Sequence, residues 1–590
     1  MKDRMSIKHK KIISILGLFV FPILHFYLLE TYTHNGFTEV RPWSQFFNIL
    51  LYEFVAVILF LLIRNVRLAL WAEGMFAMVI GLINYYVYTF RSLPLVPWDI
   101  LSVETALSVA DNYNFMPTMR VFAVILGFVL VLFAEGCLEF TLKEWKWYQS
   151  LLPALGLCLV LGSFSHVLQQ EGFQNSHRMY NKLFTPVRVW QLNGFALTMV
   201  MELPYLSVEK PEGYKEEEVE TLLKEYAAES SENEVKEKPN IIVIMDEAFS
   251  DLSVLGDFKT NKAYMPYFHS LWKDGKNTIS GYLHVSVCGG NTANTEFEFL
   301  TGNTMAFLPQ GAVPYQQYVH REIPALPSYL KSLGYQTYAM HPYHAGGWDR
   351  DTVYPLLGFE SMEFLPDYRY REYIRDYVSD RTCVKKIIDT YEAKDADSPA
   401  FIFNVTMQNH GSYGDIYENF TPDILVEGVN SYSLSTYLSL LKKTDLALEE
   451  LITYFSEVDE PVIVVFFGDH QPNDTVAQPI WRLNGTSYDM LTEEQSNLRY
   501  QVPYMIWSNY EMDTKTGGDI SVNYLAGKVL EAAGLPLSPY HAFLQELSVE
   551  YPVISAKKIE KTSGGNIELL KNYQKLQYYQ LFSDSIGLEE

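Results

Sequence analysis

Cysteine is almost missing from this sequence, with 4 in 590 residues. Cys137 and Cys158 fall in long apolar runs, which leaves Cys288 and Cys383 for the rest of the chain. So sparse a set excludes a disulfide framework and reads as unpaired thiols, with a single Cys288 to Cys383 bridge as the alternative. Positive charge is also scarce: 45 Lys and Arg stand against 70 Asp and Glu, for a net charge of −25. That balance excludes nucleic acid as a partner and excludes simple attraction to an anionic membrane surface. No internal repeat at a solenoid period is present.

What the chain does have is an uneven spread of apolar residues. The hydrophobic share of 48% is ordinary overall, but the first 170 residues hold stretches near the ~20 residues that span a bilayer as helix. Five spans are expected near residues 11–30, 47–63, 69–90, 119–140 and 149–167. Lys2, Arg4, Lys8, Lys10 and Lys11 precede the first span, Arg64 and Arg67 separate the second from the third, and Lys143 and Lys146 separate the fourth from the fifth. These basic segments belong on the cytoplasmic side, so everything after about residue 168 faces outward. The first span has no clear cleavage site after it and reads as an anchor. Glu53, Glu73 and Glu135 lie within spans; Glu73 and Glu135 are expected to reach headgroups from span ends, and Glu53 alone draws functional suspicion.

The expected organisation is a five-helix transmembrane domain over 1–168, an extracellular linker over 169–238, an α/β catalytic domain over 239–553 and a tail over 554–590. The linker assignment rests on the acidic runs at 216–218 and 229–234, which read as a solvated stretch with some helical content. In the tail, the tyrosine-rich run at 573–579 is expected to pack as a terminal helix.

Two apolar runs, 241–245 and 461–467, read as buried strands of a parallel sheet, where β-branched residues dominate and alternation is lost. Residues 336–340, 400–405 and 503–507 are further strand candidates. Residues just past the carboxyl ends of such strands share one crevice, so Glu247, Asp469 and His470 are expected to converge. Carboxylate oxygens with an imidazole nitrogen suit Mn²⁺, Mg²⁺ or Zn²⁺. Taken singly, Glu247 as a helix cap and Asp469-His470 as a polar turn are equally good readings; together they favour a metal.

A nucleophile is sought in Cys288-Gly289-Gly290-Asn291-Thr292-Ala293-Asn294-Thr295-Glu296, where Thr292 stands at the start of a helix. A metal-bound hydroxyl is one reading and a simple helix cap the other. Arg350 suits phosphate oxygens, Trp348 suits the wall of a small polyol pocket, and His410, just after a strand, suits proton exchange.

With these motifs the chain resembles the lipoteichoic acid synthase family of Gram-positive bacteria, membrane phosphoglycerol transferases of the alkaline phosphatase and sulfatase-like superfamily. The resemblance runs from the five spans through the Asp-Glu, Gly-Gly-Asn-Thr, Trp-Asp-Arg-Asp, Gln-Asn-His and Gly-Asp-His-Gln-Pro segments. It implies that Glu247, Thr292, Asp469 and His470 hold one Mn²⁺, with Thr292 as nucleophile, and that His341, Trp348, Arg350 and His410 line a glycerol phosphate pocket. The implied reaction moves glycerol phosphate from phosphatidylglycerol, through a threonine intermediate, to a glycolipid-anchored polyglycerol phosphate chain. Alternatives are a primase, a transferase acting on another surface glycan, a phosphoethanolamine transferase, a hydrolase using water, and a catalytically silent membrane scaffold. Asn291 and Tyr343 stand where the family carries a basic and an acidic residue. Asp246 is an extra carboxylate with the potential for a second metal, and the sulfatase motif Cys-x-Pro-x-Arg is absent.

Overall fold

A computed structural model describes residues 7–91, 94–97, 99, 115–181, 186–206, 208–229, 238–309, 311–512 and 515–583. The chain forms two compact units that divide at residues 207 and 208.

The first unit is helical: α1 (Ile7–Thr31), α2 (Pro42–Ile63), α3 (Val66–Arg91), α4 (Met119–Glu135) and α5 (Trp147–Gln169). Four of these are long and apolar enough to cross a membrane, over His9–Thr31, Pro42–Ile63, Val66–Thr89 and Trp147–Gln169. The remaining one, α4, is equally apolar but has 17 residues, the short end of the spanning range. Large apolar side chains such as Leu16, Phe76, Phe122, Phe133 and Leu159 point outward, an arrangement that suits lipid and not water. The three basic segments meet at one end of the bundle: Lys10 pairs with Glu139 at 2.7 Å, and Arg64 donates to the Trp145 carbonyl at 3.3 Å.

Glu73 and Glu135 do not reach headgroups. Both are buried, and they flank His25, with Glu73 at 3.4 Å from Nδ1 and Glu135 at 2.9 Å from Nε2. The cause is that the imidazole on α1 draws both carboxylates inward, into the bundle and away from lipid. Glu53 is half-buried. The linker expectation also needs correction, because Pro186–Asn193 and Phe195–Glu202 are helices that bury Trp190, Phe195 and Leu197 within this unit. There Glu30 accepts from the Phe195 amide at 2.7 Å and Asn48 from the Leu197 amide at 2.9 Å.

The second unit is a mixed sheet covered on both faces. Its strands are β1 (Asn240–Asp246), β2 (Thr278–His284), β3 (Gln336–Met340), β4 (Ser361–Glu363), β7 (Ala400–Val405), β8 (Val462–Gly468), β9 (Gln501–Ser508) and β10 (Lys515–Ser521), with β5 (Tyr373–Ile374) and β6 (Tyr377–Val378) forming a separate hairpin. The sheet order is β10-β2-β9-β8-β1-β7-β3-β4. Only β9 runs against the others, being antiparallel to both β8 and β2. The carboxyl ends of β1, β2, β3, β7 and β8 therefore lie along one edge, and every sequence-predicted site residue follows one of those ends.

Period-two geometry explains the unbroken apolar runs. Ile241, Val243 and Met245 of β1 enter one core, and Ile242 and Ile244 enter the other. The acidic helix Glu216–Glu229 packs against Pro539–Glu550 and Ile567–Phe582, so it belongs to this unit and not to a free linker. The tyrosine-rich run forms the expected helix, Ile567–Phe582, and buries Tyr573, Leu576 and Tyr579 in the first core. Cys288 and Cys383 are unpaired.

Candidate metal centre and catalytic site

Glu247 leaves the end of β1, and Asp469 and His470 leave the end of the neighbouring β8. Gly468 permits their approach, since a Cβ there would lie 1.8 Å from the Phe249 carbonyl oxygen. Asp469 is held by one oxygen: Oδ1 accepts from the Ala248 and His470 amides, both at 2.7 Å. Its Oδ2 is buried without a hydrogen-bond partner, as is His470 Nε2 at 3.2 Å. His470 Nδ1 donates to the Gln471 carbonyl at 2.9 Å, and because a carbonyl only accepts, this assigns the proton to Nδ1 and a lone pair to Nε2. Glu247 Oε1 lies 3.7 Å from that Nε2, and Glu247 Oε2 accepts from the Thr292 hydroxyl at 3.4 Å.

Glu247, Asp469 and His470 thus offer one ligand atom each within 4.8 Å of one another. Burial, followed by the mutual repulsion of the two carboxylates, pushes Glu247 well above its ordinary pKa, and burial also raises Asp469. Two buried carboxylates beside an unpartnered imidazole lone pair fit a divalent cation. The oxygen and nitrogen donor set accommodates Mn²⁺, Mg²⁺ or Zn²⁺.

Thr292 opens α6 (Thr292–Thr301), whose ten residues are all buried. It is not the cap: that position is Asn291, in left-handed backbone at φ 67°, with no capping side-chain bond. The turn Gly289-Gly290-Asn291 therefore delivers Thr292 into the site with its hydroxyl on Glu247. Thr295 ties the same helix to β8 by donating to the Asp469 carbonyl at 2.7 Å.

His341 follows β3 and His410 follows β7. Nδ1 of His341 donates to the Val405 carbonyl at 3.0 Å, and Nδ1 of His410 to the Gly411 carbonyl at 2.8 Å. All three site imidazoles thus share one tautomer, with the lone pair on Nε2. Burial holds His410 down to about 4 and puts His341 well below its usual value, with Arg350 adding to the latter. Both rings are neutral near pH 7 and able to take a proton.

Trp348 is half-buried, in left-handed backbone at φ 59°, and packs against the core that holds α6. Arg350 departs from expectation. Instead of presenting a free fork for phosphate, its Nε donates to Glu296 at 3.1 and 3.3 Å, Nη2 donates to the same carboxylate, and Nη1 donates to the Gly347 carbonyl at 3.2 Å. Tyr354 completes the cluster by donating to Glu296 at 2.8 Å. A carboxylate buried on α6 takes the guanidinium because each charge is desolvated and the pair offsets that cost. Asp246 is similarly occupied, its two oxygens accepting from Asn409 at 2.9 Å and Thr406 at 3.1 Å, so it is no open ligand for a second metal. Arg375 and Tyr377, which contact the His410 loop, carry no motif and were not singled out from sequence.

A putative cyclic beta-1,2-glucan modification protein of Rhizobium meliloti is 32% identical over 418 residues, which are 67% of this chain and 63% of that protein. RkpI, a capsular polysaccharide biosynthesis protein of the same organism, is 31% identical over 240 residues, covering 40% of this chain and 42% of that one. The chain thus spans less than two thirds of the length of these curated relatives. The fold is shared with the Streptococcus pyogenes phosphoglycerol transferase GacH in complex with sn-glycerol-1-phosphate, at a TM-score of 0.52, 22% identity, and coverage of 63% of this chain and 95% of that one. Residues 239–535 match the sulfatase family model, from the strand before Glu247 to well past His470. On this match, which takes in half of the sequence, the chain belongs to the sulfatase family.

Proposed function

We propose that the protein is a membrane-tethered phosphoglycerol transferase that moves glycerol phosphate from phosphatidylglycerol to a hydroxyl of a cell-surface glycan. The observation that carries this reading is the Thr292 hydroxyl placed on Glu247, beside the unpartnered Asp469 Oδ2 and His470 Nε2. Support for a glycan acceptor, in preference to a growing polyglycerol phosphate chain, comes from the two Rhizobium relatives, one named for glucan modification and the other for capsular polysaccharide biosynthesis. Support for glycerol phosphate comes from the family resemblance and from the sn-glycerol-1-phosphate held in complex by GacH. The basic loops gathered at one end of the helical bundle argue for a cytoplasmic end there, with the catalytic unit on the outer side.

A divalent cation held by Glu247, Thr292, Asp469 and His470, Mn²⁺ in the first instance, would offset charge on the phosphoryl oxygens and favour the threonine alkoxide. The chain's own residues do the rest. Thr292 Oγ forms a bond to phosphorus as the bond to the diacylglycerol oxygen breaks, and the threonine proton passes through His410 Nε2 to that oxygen. In the second half the acceptor hydroxyl gives its proton to His410, its oxygen bonds to phosphorus, and Thr292 Oγ leaves and recovers the proton. The amide end of α6 favours the anionic phosphoryl group throughout. Trp348 and His341 shape the pocket for the glycerol.

The test is the full-length protein in liposomes with labelled phosphatidylglycerol, Mn²⁺ and a glycan acceptor. Diacylglycerol and a glycerophosphoryl glycan are expected. Thr292→Ala should release neither while keeping its fold, and mass spectrometry of wild type without acceptor should place the adduct on Thr292. An adduct on another residue, or diacylglycerol from phosphatidylethanolamine and none from phosphatidylglycerol, overturns the reading.

A further inference from the structure

His410 stands on a loop, and a proton carrier on a loop needs something to hold its ring. The loop leaves β7 at Thr406 and runs past His410 to Tyr413, which anchors it from within by donating to the Asn409 carbonyl at 2.7 Å. The β5–β6 hairpin lies against it. At the hairpin's turn Arg375 adopts left-handed backbone at φ 58° and is 3% exposed. Its Nη1 donates to the Ser412 carbonyl, and its Nη2 donates to the Gln408 and His410 carbonyls, all at 2.7 Å. The guanidinium also lies over the Tyr377 ring at 5.5 Å and the Tyr413 ring at 5.6 Å.

Among the described residues no carboxylate lies within ion-pairing distance of Arg375. A buried cation without a counter-ion is costly, and here burial is the largest influence on the side chain, lowering its pKa. What offsets the cost is one planar fork binding three alternate carbonyls of a single loop, a geometry that Lys cannot reproduce. From β6, Tyr377 donates its hydroxyl to the Gly411 carbonyl at 2.9 Å and lies 3.0 Å from His410 Nδ1. Gly411's carbonyl and Tyr377's hydroxyl thus bracket the Nδ1 proton and direct Nε2 away from the hairpin. Asn419 fixes the hairpin from its other side, donating to the Tyr373 and Arg375 carbonyls at 3.2 and 2.9 Å.

We propose that Arg375, with Tyr377, is a positioning residue: the hairpin clamps the 408–412 loop so that His410 presents the Nε2 lone pair to the reacting oxygens. The proposal rests on the reading of His410 as the proton carrier. It differs from a structural staple in one consequence, because a staple supports stability while a clamp sets turnover.

The experiment uses full-length protein loaded with Mn²⁺ and whichever labelled phospholipid, phosphatidylglycerol or phosphatidylethanolamine, the wild type cleaves, and it reads diacylglycerol release and bound manganese together. Arg375→Ala should lower kcat about a hundredfold, the lower end of what a positioned proton carrier contributes. KM should stay within about threefold, since binding is not what was removed. Manganese content should be unchanged, and millimolar guanidinium should restore part of the rate. Arg375→Lys and Tyr377→Phe, which disturb packing least, should fall between wild type and Arg375→Ala, and they decide the matter if the alanine variant does not fold. Folded, metal-loaded variants that turn over at the wild-type rate overturn the proposal, as does a rate loss fully matched by lost manganese. If wild type cleaves neither lipid, the reaction assignment has failed and the clamp is judged by hydrogen exchange over residues 406–413. Faster exchange in Arg375→Lys and Tyr377→Phe supports it, and unchanged exchange overturns it.

Discussion

Arg350 is 2% exposed and Glu296 is fully buried, and the two form an ion pair away from water. Removing one member of such a pair leaves the second charged and desolvated, at a cost of about 3–5 kcal/mol. Arg350→Ala is therefore expected to lower the stability of the catalytic unit by that amount, and Glu296→Gln by less because its amide still accepts from the arginine. Denaturant titration of the full-length protein checks both. An Arg350→Ala variant of wild-type stability that no longer binds donor would mean that the guanidinium leaves Glu296 for phosphate. That Glu247, Thr292, Asp469 and His470 would converge was legible because each follows the carboxyl end of a strand in one sheet. The partner of Arg350 was not, since nothing local in the sequence says which of 70 acidic residues will meet it. Glu73 and Glu135 fail to be legible for the same reason: their partner, His25, lies on another helix.

Strand β8 packs beside β1 in parallel, with Asp246 level with Gly468, and this register sets the distance between Glu247 on one side and Asp469 and His470 on the other. Gly468 is the tightest point. Gly468→Ala drives a methyl into the Phe249 carbonyl, so the turn that carries Asp469 must move away from the Ala248 amide. Metal content after dialysis is expected to fall at least tenfold, while the strand itself survives because its β-branched neighbours are untouched; wild-type metal content would show that the backbone relaxes around the methyl. The buried parallel strands were readable from sequence because both faces are covered and the apolar run is continuous. By contrast β10, with its Gly517-Gly518 pair, and β2, broken by Ser280 and Gly281, carry no such run. Their places in the sheet come from pairing with each other and with β9. Helix Phe195–Glu202 was missed because a short apolar segment beside an acidic stretch has no periodicity long enough to register.

At the scale of the molecule, the candidate metal site is expected to couple stability to pH. Without a cation, burial holds the folded-state pKa values of Glu247 and Asp469 above their ordinary values of 4.5 and 3.8. A group raised in this way contributes stability that is fully present below its unfolded value and is lost as pH rises through its folded value. The metal-free protein is therefore expected to lose stability from this source as pH climbs above about 4.5, because two carboxylates must ionise side by side in a dry site. Divalent cation binding requires those same carboxylates in the ionised form and removes the repulsion between them, so it competes with protons and strengthens as pH rises. The shift in melting temperature on adding Mn²⁺ should accordingly be small at pH 5 and grow steadily toward pH 8. Full-length protein melted in detergent at matched ionic strength, with and without Mn²⁺, measures this directly. Asp469→Asn is the control: it keeps the Oδ1 contacts to the Ala248 and His470 amides but removes one of the two charges. It should flatten the pH dependence of the metal-free protein and abolish most of the Mn²⁺ shift at every pH. A Mn²⁺ shift that is constant from pH 5 to pH 8 in wild type would place the cation away from Glu247 and Asp469.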